Sequence, residues 1–81
     1  MALGRYDEAL TAYDRANRIN PKDATALAAK GLALIKKERF QEALTTFEEA
    51  LKIDPNNSIA QQNRETVLQR LQQVQQLPQQ K

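Results

Sequence analysis

Side chains able to do chemistry are scarce in this chain. It has no histidine and no cysteine, so the usual general base, metal ligand and thiolate nucleophile are all missing. Ser58 is the single serine. It stands just after Asp54-Pro55, at a helix start, where capping explains it better than nucleophilic attack. Asp7-Glu8 and Glu48-Glu49 are adjacent carboxylates, but neighbours on a helix point apart and cannot share a proton. They read as solvated faces. Gly4 and Gly31 are the only glycines, too few for a phosphate-cradling loop. The densest basic spot, Lys36-Lys37 with Arg39, falls at a helix C-terminus, where the helix dipole favours cations. These residues predict no catalytic, metal or cofactor site, and a protein that is not an enzyme.

The bulk properties point the same way. At 81 residues the chain holds one domain with a small core. Twelve basic against ten acidic groups leave a formal charge of +2, spread along the chain. That is no electrostatic footprint for nucleic acid or anionic lipid. All four aromatics fall at core-type positions, which leaves none free to stack on bases. There is no basic-then-apolar leader and no apolar run long enough to cross a bilayer. The expected compartment is the cytoplasm, without nucleic-acid or membrane partners.

What must position the remaining side chains is a repeat. Residues 39–57 restate residues 5–23 at a spacing of 34, with eight identities in nineteen positions. A fixed period of this length means stacked supersecondary units, each covering the apolar face of its neighbour. Tyr6, Ala9, Leu10, Tyr13, Ala16 and Ile19 form a helical 3-4-3-4 stripe, which Phe40, Ala43, Leu44, Phe47, Ala50 and Ile53 repeat. Asn20-Pro21 and Asp54-Pro55 stop these helices. Asp23 caps the next one, and Asn57 or Ser58 the last. The pattern predicts four antiparallel helices at about 5–18, 24–37, 40–53 and 58–77, with a turn at Glu38-Arg39 and a disordered tail at 78–81.

Leu27-x2-Lys30-Gly31-x2-Leu34, then Ala43-x3-Phe47, then Pro55 resembles the tetratricopeptide pattern W-x2-L-G-x2-Y, A-x3-F, P. Ala9-x3-Tyr13 and Pro21 match its second half once more. The resemblance covers roughly residues 4–57. Leu27 and Lys30 depart from the aromatic and the leucine of the first helix. The resemblance implies an all-α fold of antiparallel hairpins, a solenoid, in one domain over residues 1–77. In it, 1–21 is the second helix of a truncated repeat whose first helix ends at Met1-Ala2-Leu3. Residues 24–57 form one full repeat, and 58–77 a capping helix. In that cap, Gln61 and Glu65 occupy the slots of Leu27 and Gly31. Ala60, Val67, Leu68, Leu71 and Val74 form its apolar stripe.

Such proteins bind peptides or protein segments on the concave side lined by their first-type helices. Carried over by register, that side shows Thr25, Ala28, Ala29, Leu32, Ile35 and Lys36, and on the last helix Ile59, Gln62, Asn63, Thr66 and Arg70. Only Asn63 fits the family's clamp for a chaperone C-terminal carboxylate, so no such clamp is expected. The alternative reading is a structural element. A first helix with no partner on one side exposes Leu3, Tyr6, Leu10 and Tyr13, and two chains could pair there as a homodimer.

Overall fold

Two turns one period apart set the helix boundaries. The Asn20 Oδ1 accepts from the Lys22 backbone N–H at 3.2 Å, and the Asp54 Oδ1 from that of Asn56 at 3.1 Å. Three residues on, Asp23 Oδ1 accepts from the Ala26 N–H at 3.0 Å and Asn57 Oδ1 from the Ala60 N–H at 2.9 Å. Each bond satisfies one of the amides that a helix start leaves unpaired. Asn57, not Ser58, is therefore the cap of the last helix. The computed structural model describes residues 2–76, and the side chains of residues 5–73. It contains α1 (Ala2–Ile19), α2 (Ala24–Lys36), α3 (Phe40–Ile53) and α4 (Ser58–Gln76). Leu77, the tail at 78–81, and the side chains of Leu3 and Val74 lie outside the described part.

The link between α2 and α3 turns on a residue in the left-handed region. Glu38 has φ 62°. Its N–H bonds to the Ile35 carbonyl at 2.8 Å, and the Arg39 N–H bonds to that of Leu34 at 2.9 Å. This pair of bonds is a Schellman turn, in which glycine is the usual occupant of the Glu38 position. Gly4 stands one period earlier, but no turn forms there. Helix α1 runs unbroken from Ala2, so Ala2 and Leu3 belong to α1 and not to the end of a preceding helix, while Met1 lies outside the described residues.

The core lies where α2, α3 and α4 meet. Ala28, Ala43, Phe47, Ala50, Ala60 and Val67 are all fully buried. Helix α3 lies between α2 and α4, and α2 also touches α4. Gly31 lets α2 close onto α3: a Cβ there would stand 2.4 Å from the Phe47 ring. Val67 is buried while Gln61 and Glu65 on the far side of α4 are exposed.

Helix α1 stands apart. Among the described residues it packs against α2 alone. Leu10 reaches the core from it, and two ion pairs strap the two helices together. Asp14 meets Lys30 at 2.8 Å, and Asp7 meets Lys37. The first pair recurs one period later as Glu48 and Arg64, at 3.4 Å. Asp7 is thus a paired carboxylate and not simply a solvated one. The apolar stripe of α1 also ends before Ile19, which is 85 % exposed.

Candidate binding trough

In an antiparallel hairpin closed at Asn20–Asp23, residues whose distances from the turn agree to within one position come close together. Tyr6 therefore comes opposite Lys36, Ala9 opposite Ala33, and Tyr13 opposite Ala29. The structure brings these six side chains together with Leu32 around an open trough of about 300 Å³. Its walls are apolar apart from the tyrosine hydroxyls and the Lys36 ammonium. Small residues at Ala9, Ala29 and Ala33 make the depth, and the two rings make one wall.

The trough joins two surfaces that the sequence suggested separately. Ala29, Leu32 and Lys36 belonged to the expected peptide groove, and Tyr6 and Tyr13 to the expected self-association face. Both sets line one depression. The hairpin register, applied to the first two helices, was the signal that unites them and adds Ala9 and Ala33.

The other candidates lie elsewhere. Thr25 is exposed on the first turn of α2. Ala28 is fully buried in the core and cannot line a groove. Ile35 and Leu10 are half-buried and packed against the core. On α4, the Asn63 amide donates to the Ile59 carbonyl at 2.8 Å and the Thr66 hydroxyl to that of Gln62 at 3.2 Å. The Arg70 guanidinium sits 5.6 Å from the centre of the Phe40 ring, a cation–π contact. Ile59 and Gln62 are exposed. None of these α4 residues lines the trough.

A second cleft opens between α1, α2 and α3, lined by Asn17, Pro21, Leu27, Lys30, Glu49, Lys52 and Ile53. The side-chain amide of Asn17 is buried with neither its nitrogen nor its oxygen hydrogen-bonded. One period later the same position is Leu51, which packs against the core.

The four helices, the period and the glycine contact define a helical-repeat protein. A family model described as tetratricopeptide repeat matches residues 1–58, and the chain belongs to that family. Repeats of this family are generally protein-interaction modules and typically non-catalytic. No curated protein matches the chain. Among the described residues no helix is long and apolar enough to cross a membrane.

Proposed function

We propose that the protein is a non-catalytic module that binds a segment of another protein in the trough between α1 and α2. One observation carries this reading. Tyr6, Ala9 and Tyr13 repeat Phe40, Ala43 and Phe47, yet Ala43 and Phe47 are fully buried while Ala9 and Tyr13 remain partly open. A surface built to core specification but left open favours a partner, since burying one large apolar side chain contributes roughly 1.5–3 kcal/mol. In this reading residues 24–57 are one full repeat, α1 is the second half of another, and α4 is a cap. Lys36 is the trough's cation and has no amide-bearing neighbours among the lining residues. That argues against a carboxylate clamp.

Self-association through the same rings is the competing use of this surface. Shape argues against it: two copies placed trough to trough would set one concavity against another.

Selection from a displayed peptide library tests the proposal. Selected peptides should shift the amide resonances of Tyr6, Ala9, Tyr13, Ala29 and Leu32, and Ala29→Arg should abolish binding. Peptides that bind without disturbing these resonances would refute it. So would concentration-dependent self-association that fills the trough.

A further inference from the structure

Among the described residues, Asn17 alone has buried side-chain atoms without a hydrogen bond: both its amide nitrogen and its amide oxygen. Folding penalises such a group, and the repeat itself shows the remedy. One period later the position is Leu51, packed against the core. An amide here works against the fold, and departures of this kind gather at functional sites. We propose that the cleft between α1, α2 and α3 binds an extended peptide segment of a partner protein. One residue of the segment pairs its backbone N–H and C=O with the Asn17 amide. An apolar side chain covers Leu27, Pro21 and Ile53, and a basic and an acidic side chain meet Glu49 and Lys52. The cleft shares no lining residue with the trough between α1 and α2, so this site does not rest on that reading.

Three features of the cleft choose this occupant. The first is the amide. Asn17 offers donors and an acceptor side by side. In an extended chain the N–H and C=O of one residue point to the same side, as the paired bonds of an antiparallel ladder show, so a single residue engages both. The second is space. The cleft holds about 410 Å³, within the range of small-ligand sites, and Leu27, Pro21 and Ile53 give it an apolar lining. The third is charge. Lys30 is engaged by Asp14 at 2.8 Å, whereas Glu49 and Lys52 form no ion pair among the described residues. They stand one turn apart on α3, roughly 5–6 Å between Cβ atoms. Side chains two positions apart on an extended chain are separated by roughly 6.6 Å, so a basic and an acidic residue flanking an apolar one match them. The exposed stem of Lys52 is free to swing aside and admit the segment to the shielded amide.

The probes are two blocked tripeptides, acetyl-Lys-Leu-Glu-amide and acetyl-Glu-Leu-Lys-amide, titrated into the intact protein and followed by NMR. One of the two directions should give saturable shifts of the Asn17 side-chain amide and of the Leu27 and Ile53 backbone amides, while Tyr6 and Tyr13 stay unmoved. Asn17→Leu, a change the repeat already carries at Leu51, should abolish these shifts in a folded protein. Replacing the leucine N–H of the probe by an ester oxygen should weaken binding by about fivefold, and Lys52→Glu in the protein by about threefold. The ester result reads backbone recognition, which a merely structural Asn17 would not move. Equal binding to the Asn17→Leu protein, or equal binding of the ester, would overturn the proposal. So would an Asn17 amide that contacts only a long-lived water and responds to neither peptide. Shifts confined to Tyr6 and Tyr13 would place the peptide in the trough, overturning this site and leaving the trough standing.

Discussion

Helices α1 and α3 are two copies of one motif in two environments. In α3, Ala43, Phe47 and Ala50 are fully buried, Thr46 is 6 % exposed and Ile53 38 %. In α1, Ala9, Tyr13 and Ala16 are half-buried, Ala12 (the counterpart of Thr46) is exposed, and Ile19 is 85 % exposed. The difference does not come from the helices' own sequences, which share their small and large positions. It comes from neighbours. Helix α3 lies between α2 and α4, whereas α1 touches only α2 among the described residues. Burial in a stacked-repeat protein thus belongs to an interface between units and not to a helix alone.

Equivalent truncations should expose this contrast most strongly. Phe47→Ala removes a fully buried ring and should cost about 3–5 kcal/mol. Tyr13→Ala on the open side should cost about 1 kcal/mol. Urea denaturation followed by circular dichroism measures both. Equal losses would mean that Tyr13 is already covered in solution. Gly31→Ala comes next. Overpacking against Phe47 costs about 1–3 kcal/mol, partly offset by about 1 kcal/mol of helix propensity. A net stabilisation would show that α2 and α3 are not in close contact.

Asn17→Leu gives α1 the residue that α3 carries at Leu51. It removes a buried amide without partners, and should stabilise by about 1–2 kcal/mol in the same denaturation experiment. A loss of stability would show that Asn17 has a polar partner, such as a water, in solution. Glu38→Gly places at the α2–α3 turn the glycine that stands at Gly4 one period earlier. Relief of the left-handed strain should raise the denaturation midpoint by an amount worth about 1 kcal/mol. The smallest effect belongs to Asp7→Asn. It breaks a partly exposed pair with Lys37 and should cost under about 1 kcal/mol, shrinking further in high salt.

The α2, α3 and α4 boundaries were legible because short-range chemistry writes them. Asp23, Asn57 and the two Asx-Pro turns act within a few residues, and the expected starts at 24, 40 and 58 match the helices. The start of α1 was harder to read: the repeat places a turn at Gly4, whereas the helix continues through it from Ala2. Pairings across the hairpin were harder to see. Asp7 looked solvated because Lys37 is thirty residues away, and only the docking of α1 on α2 joins them. Helix register puts Arg70 on a groove but does not reveal that its guanidinium lies over Phe40. The trough is hidden for the same reason: its two walls lie on different helices, α1 and α2.

Amide hydrogen exchange on the dilute protein tests the one-sided covering of α1 most directly. The account predicts that α1 amides exchange through local opening, well before those of α3, whose release requires global unfolding. Addition of a library-selected peptide should slow α1 selectively. Protection of α1 equal to that of α3, in a monomer without any partner, would contradict the account.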